Sequence, residues 1–340
     1  MKQHFYFAPL LCALLLTGCS PTPEPDSHSY TIIALGTLVT VEMVTADERH
    51  ALQARDQLQA LLRELERDWY AFGDGELGRI NAALAAGDPV QTTPELAALI
   101  KRSLNYRTMS DGLFEPVIGN LIELWGFANF ATQTEALTPP PDAAVHNWRD
   151  NPAPRLSVSV TGQTIQATGP VRLDLGGVAK GTVLVRAMAL LEQSGIHNAM
   201  VDAGGDLKVI GSRGKRPWRV GIRNPHADNI LATIELKPGE AIVTSGNYER
   251  YFDHDGQRYN HVLNPQTGRP VEATAGVTVL HSDAELADAA ATALMVAGPD
   301  RFDEITARMG ITTALLVNHR GEFRMTPAMS QRLVMAATPR

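Results

Sequence analysis

The stretch AMVDAGGDLKVIGSRGKRPWRVGIRNPHADNILATIEL, residues 199–236, decides the fold class. It holds four strand candidates in direct succession: Ala199–Asp202, Leu207–Ile210, Trp218–Ile222 and Ala232–Leu236. Apolar and β-branched residues fill them, and Gly, Pro, Asn and Asp separate them. Upstream, LSVSV, Gly162 and TIQAT give a hairpin signal, and a helix is expected from about Thr182 to Gln193, ending at Gly195. Downstream, Val277–Leu280 is another strand. Ser282-Asp-Ala-Glu285 reads as a capping box whose helix stops at Gly298-Pro299. Ile311–Val317, a turn at Arg320-Gly321 and Phe323 onward form a last hairpin. In the first third, Thr31–Val44 reads as a strand interrupted at Gly36, and Thr45-Ala-Asp-Glu48 as a second capping box. The helix it opens repeats Leu52, Leu58, Leu61, Leu62, Leu65 and Trp69, the period of one buried face. Thr93-Pro94 starts another helix, ending near Asp111-Gly112. Strands and helices are segregated, without steady βα alternation, which argues α+β in one large domain spanning residues 30–340.

The 340 residues carry 30 Lys+Arg against 37 Asp+Glu, a net charge of −7, and aromatics are 6%. An acidic chain poor in aromatics is not expected to bind nucleic acid. Apolar residues at 44% exclude the disordered class. Lys2 precedes an apolar run, Phe5 to Leu16, too short to span a bilayer comfortably, and the run ends in Leu16-Thr17-Gly18-Cys19. This is the pattern of a bacterial lipoprotein signal over residues 1–18, with Cys19 as the acylated first residue of the mature protein. Residues 19–29, with Pro21, Pro23 and Pro25, form an extended linker. Cys12 leaves with the signal and Cys19 takes the lipid, so the exported domain is expected to hold no disulfide and to use no thiol chemistry. Ser20 after Cys19 gives no inner-membrane retention signal and favours the outer membrane.

Several segments carry chemistry. In LDLGGVAKG, residues 173–181, an acid on a strand runs into paired glycines, a lysine and a helix start. Glycines let a ligand approach the backbone, a helix N-terminus favours phosphate, and Lys180 adds a point charge. A tight structural turn with a solvated lysine fits the same residues. VDAGGDL (201–207) is a second acid-and-glycine turn. Asp288 and Thr292 stand at i and i+4 of a helix amid small apolar residues. A carboxylate and a hydroxyl there suit a hard cation that also takes water and phosphate oxygens. Gly73-Asp-Gly-Glu-Leu-Gly78 formally matches G-x-G-x-x-G, but a long helix rather than a strand precedes it, so it reads as a helix-to-helix turn.

Six segments in this order resemble the FAD:protein FMN transferase family, also called ApbE-like proteins: LDLGGVAKG (173–181), VDAGGDL (201–207), PWRVGIRNP (217–225), TSGNYERYF (244–252), NHVLNPQTGRP (260–270) and ADAAATALMVAGP (287–299). DGLFEPVIGNLIELWGF (111–127) matches more loosely. The resemblance covers about Thr31 to Arg340. It implies a T-fold-like α+β core and an exported, Mg²⁺-dependent transferase. Such an enzyme cleaves the FAD pyrophosphate, joins FMN through a phosphoester to a Thr or Ser of an acceptor flavoprotein and releases AMP. The acceptor would belong to a membrane electron-transfer system. Carried over residue by residue, Leu35, Tyr70, Leu113, Phe114, Glu115, Asp174, Lys180 and Leu263 fall on FAD contacts, with Phe72 competing with Tyr70 as the flavin-stacking ring. Asp288, Thr292 and the backbone carbonyl of Gly177 would hold Mg²⁺. The usual pattern has Met at Leu35, Asp at Glu115 and Asp at Asn247. His261 is the side chain in these motifs whose unperturbed pKa lies near neutrality, and it is the expected general base, with Asp288 as the alternative. An FAD pyrophosphatase and a non-catalytic flavin-binding lipoprotein are the competing readings.

Overall fold

Ile242 and Val243 are chain neighbours that enter different cores. The same is true of Val279 and Leu280, and of Leu315 and Leu316. This period of two is that of a sheet buried on both faces. The computed structural model describes residues 26–128 and 136–336. Among them, eight strands form one sheet in the order Ser27–Ala34, Thr37–Val44, Ala199–Ala203, Asp206–Ile210, Ala241–Gly246, Thr274–His281, Ala314–Asn318, Phe323–Met325. Every neighbouring pair is antiparallel.

Helices cover one face. Glu48–Trp69 and Gly176–Gln193 pack over the first strands through Leu58, Leu62, Leu184 and Leu191. Ala284–Arg308, with Pro94–Met109 and Glu76–Ala86 beyond it, packs over the later strands through Leu294, Phe302, Leu99 and Ile80. A three-stranded sheet, Val334–Met335, Ile230–Leu236 and Trp218–Arg223, closes the opposite face around Trp218, Ile234 and Met329. The α+β expectation holds. Among the described residues no helix is long and apolar enough to cross a membrane. The signal segment, Cys19 and the linker through Pro25 lie outside the described residues.

Local expectations shift in informative ways. Thr31–Val44 is a hairpin, Ser27–Ala34 paired with Thr37–Val44, and its turn takes positive φ at both Leu35 (58°) and Gly36 (66°). Both capping boxes move on to the nearby aspartate, two residues after Thr45 and one after Ser282. Asp47 accepts the His50 N–H, and Asp283 accepts those of Glu285 and Leu286. The lysine-bearing helix starts at Gly176, six residues before Thr182. Residues 173–175 are not a strand; Leu173 N–H goes to the Asn81 side chain and Asp174 N–H to Pro116 O. Gly298 (φ 66°, ψ −176°) kinks the acid-bearing helix where a stop was expected, and the helix resumes to Arg308. Pro299 at the new first turn needs no N–H partner.

Candidate active site

Two helices build the centre of the site, and glycines set how closely they meet. At Gly181 a Cβ would stand 2.2 Å from Ala284 O and 2.8 Å from Glu285 Cα. The backbones of the Gly176–Gln193 and Ala284–Arg308 helices therefore touch there. The contact gives the Gly181 N–H an acceptor on the other helix, Asp288 Oδ2 at 2.9 Å. One turn earlier, a Cβ on Gly177 would lie 3.0 Å from Thr292 Oγ1 and 3.2 Å from Phe114 Cε2. The bare Cα of Gly177 thus leaves a cradle beside the Thr292 hydroxyl. Gly177 thus meets a helix that carries Asp288 and Thr292, more than a hundred positions later in the sequence.

Lys180, half-buried, faces acidic surroundings. Its Nζ lies 2.6 Å from Asp206 Oδ2, and Asp206 is fully buried, its other oxygen taking the Thr244 N–H at 2.9 Å. Burial works against the lysine's charge, but Asp206, Asp288 and Glu249 outweigh it and hold the ammonium above its ordinary value. The carboxylates feel the converse. Burial, with Asp206 nearby, pushes Asp288 up to about 7 against the pull of Lys180. Glu249 is raised by the same two causes in the same order of burial before charge. Asp202 is also raised by burial, although its Oδ1 accepts the Gly205 N–H. Asp206 and Asp288 are the buried carboxylates of the cluster, with Asp202 half-buried and Glu249 at its exposed edge.

The helix start is turned toward the same space. No side chain caps the Gly176–Gln193 helix from Leu175; instead Asp174 Oδ1 accepts the Gly176 N–H at 2.8 Å, and burial raises Asp174. His261 lies in the loop after Gln257–Asn260, with its Nδ1 3.2 Å from the Arg250 carbonyl oxygen. Burial and the Arg250 charge depress it to about 4, so its ring is neutral at neutral pH. The loop is held from behind by Trp125, whose Nε1 donates to Gly268 O, and by Trp148, which donates to Pro265 O. Arg250 reaches across to the hairpin turn, its Nη2 3.5 Å from where a Gly36 Cβ would stand.

Of the expected flavin contacts, Tyr70 offers an aromatic surface. It is 45% exposed, and its hydroxyl donates to Ala128 O. Phe72 meets it edge-on at 6.0 Å and carries the Arg172 guanidinium over its ring. Leu113, Phe114 and Leu263 are core side chains. Glu115 is buried, facing Arg107 at 3.5 Å and the Val117 N–H; burial raises its pKa. Leu35 is half-buried at the hairpin turn. The residues that sequence reasoning left out of the site are Asp202, Asp206, Glu249 and Arg250. Their signal was present: each lies in VDAGGDL or TSGNYERYF.

The donor set fits a hard divalent cation. A buried carboxylate, a neighbouring hydroxyl and a side-chain-free backbone position offer oxygen only. The charge of Asp288 is destabilised by its surroundings, and a cation would relieve that. Among the described residues there is no cluster of three or more His, Cys, Asp or Glu arranged for a metal, so substrate and water oxygens would complete the shell.

Residues 35–316 match the ApbE family. A protein of Rhodobacter capsulatus named FAD:protein FMN transferase is 41% identical over 328 residues, 95% of this chain. The match takes in 62% of that relative's own length. A protein of the same name from Klebsiella pneumoniae is 31% identical over 98% of this chain and 99% of its own. Among solved structures, the ApbE protein of Thermotoga maritima superposes with a TM-score of 0.82 at 30% identity, covering 90% of this chain and 99% of that one.

Proposed function

The chain belongs to the ApbE family, and from that premise we propose that it is an FAD:protein FMN transferase. The observation that carries the reading is the meeting of Gly177, Lys180, Asp288 and Thr292 at the start of one helix. In the reaction, the hydroxyl oxygen of an acceptor Thr or Ser attacks the phosphorus on the FMN side of the FAD pyrophosphate. A phosphoester bond forms, the bridging P–O bond breaks, and AMP leaves with the electron pair. Charge develops on phosphoryl oxygens, so catalysis rests on positioning and charge stabilisation.

Lys180 supplies a fixed positive charge, oriented by Asp206 before substrate arrives. The backbone N–H groups at the Gly176–Gln193 start add partial positive charge. Asp288, Thr292 and the Gly177 carbonyl would hold Mg²⁺, which when bound supplies Lewis-acid stabilisation of phosphoryl oxygens. His261, neutral at working pH, takes the acceptor's proton on the ring nitrogen not engaged with Arg250 O. Tyr70 lends its exposed ring to the flavin.

The Leu16-Thr17-Gly18-Cys19 segment supports export as a lipoprotein anchored through Cys19 and facing the periplasm, from the outer membrane. Residues 30–340 then form the transferase domain. A periplasmic acceptor flavoprotein serving membrane electron transfer is the partner this placement suits.

Mass spectrometry of a candidate acceptor incubated with enzyme, FAD and Mg²⁺ tests the reading. An FMN adduct on a Thr or Ser, with AMP in equal amount, is expected. FMN and AMP released free, with no adduct on any acceptor, would make the protein a pyrophosphatase instead.

A further inference from the structure

Glu285 is a buried carboxylate that the chemistry above does not use. It stands one turn before Asp288 on the same helix and accepts from three side chains. Arg102 donates from Nε at 2.6 Å and from Nη2 at 2.8 Å, Tyr106 from its hydroxyl at 3.0 Å, and Thr182 from Oγ1 at 2.9 Å. Burial, then the charge of Glu285, holds the Tyr106 phenol far above its ordinary value, so it stays a neutral donor.

These bonds join three helices. Arg102 and Tyr106 belong to Pro94–Met109, Thr182 to Gly176–Gln193 and Glu285 to Ala284–Arg308. Thr182 directly follows Gly181, whose N–H Asp288 accepts. Two adjacent residues of one helix are thus gripped by two residues one turn apart on the other. Apolar packing alone would hold helices together as firmly, whereas a buried ionic network adds direction and register. Register matters here because the proposed cation shell spans both helices: Asp288 and Thr292 come from one, Gly177 from the other. Mg²⁺ demands near-octahedral geometry at short distances and tolerates little sliding, whereas Ca²⁺ accepts longer and more variable contacts.

We propose that Glu285 is a positioning residue for the cation site, setting through Thr182 the register of the two helices that supply its ligands. The proposal rests on the Mg²⁺ reading of Asp288, Thr292 and Gly177 given above.

The test is calorimetric titration of the full-length protein with Mg²⁺ and with Ca²⁺, FAD present and absent. Wild type is compared with Asp288→Ala, Glu285→Gln, Thr182→Val and Thr182→Ser. Thr182→Val removes a hydroxyl that Glu285 Oε2 at 2.9 Å shares with the Val178 carbonyl oxygen at 3.0 Å, and it removes no charge, so it carries the test if Glu285→Gln does not fold. The expected result is a loss of Mg²⁺ affinity of about threefold to tenfold in Thr182→Val, because only part of the worth of a hydrogen bond to a charged group, itself about tenfold or more, reaches the cation site through helix register. The Mg²⁺-over-Ca²⁺ preference should shrink with it, and Thr182→Ser should restore both. Wild-type Mg²⁺ affinity and ion preference in Thr182→Val, with only a lowered melting temperature, would make Glu285 purely structural and overturn the proposal. Wild-type protein showing no Asp288-dependent Mg²⁺ binding would remove the cation reading itself, and this proposal with it.

Discussion

Substituting Gly181 by Ala sets two physical effects against each other. In an exposed helix the change is favourable by about 1 kcal/mol, because Ala gives up less backbone entropy than Gly. Here the new methyl would sit 2.2 Å from Ala284 O, 2.7 Å from its carbonyl carbon and 2.8 Å from Glu285 Cα. All three atoms are backbone, so no rotamer change relieves the clash, and the helices must part by about 1 Å or more. Overpacking of this kind costs about 1–3 kcal/mol. Parting the helices also draws the Gly181 N–H from Asp288, a bond to a buried carboxylate worth about 1.5–3 kcal/mol. Packing outweighs propensity, and the expected net loss is about 2–4 kcal/mol. For a chain of this size that is a melting-temperature fall of about 5 °C or more. Thermal melts followed by circular dichroism, with urea midpoints as a second measure, check it. A Gly181→Ala protein as stable as wild type or more so would mean that the helices do not touch at this point.

Asp288→Ala should abolish both Mg²⁺-induced stabilisation and FMN transfer, whereas Thr292→Val should weaken them less because water can replace a hydroxyl; melts at rising Mg²⁺ alongside adduct formation read both. The depressed His261 makes stability depend on pH. Its folded value of about 4 lies below its unfolded value near 6.5, so the unfolded chain binds more protons between them. Stability is therefore full above about pH 6.5 and is lost as pH falls toward 4, with up to about 2 kcal/mol gone by pH 5. In His261→Gln the difference between urea midpoints at pH 7.5 and pH 5 should narrow, and an unchanged difference would show that the ring titrates normally. Cys19→Ala should leave the protein without lipid, and a fatty-acyl adduct found by mass spectrometry of the variant would refute the lipobox.

The sheet was legible in the sequence wherever burial differed along a strand. Trp218–Arg223 alternates buried and exposed, and its period of two stands out. Thr274–His281 is buried through seven of its eight residues, so its length was read short, as Val277–Leu280. The start of the lysine-bearing helix was hidden because Gly176 and Gly177 read as a turn, and only packing against Thr292 and Phe114 makes helical glycines useful there. The Gly298 kink looked like a stop because a helix beyond a Gly-Pro pair is held by Phe302 and Ile305 in the core, which local propensity does not register. That Asp288 and Thr292 lie one turn apart on one helix was legible from their spacing. Asp206 was not singled out, since an acid after two glycines reads as a turn until Lys180, 26 positions earlier, is seen to meet it.

The hairpin that ends beside Arg250 has one more consequence, a mechanical one. Ser27–Ala34 is an edge strand, bonded only to Thr37–Val44 in a register that runs unbroken from Ser27↔Val44 to Ala34↔Thr37. The chain preceding it enters at Asp26, whose carbonyl accepts the Thr45 N–H at the open end of the hairpin. A pull transmitted through that chain would load the pairs one at a time, as a zipper is opened, rather than all at once in shear. Eight residues of strand lie between this grip and the turn at Leu35 and Gly36, roughly 25 Å of ladder. Force arriving from the N-terminal side would be spent peeling the edge strand from its far end, and the turn beside Arg250 would be the last part of the hairpin to move.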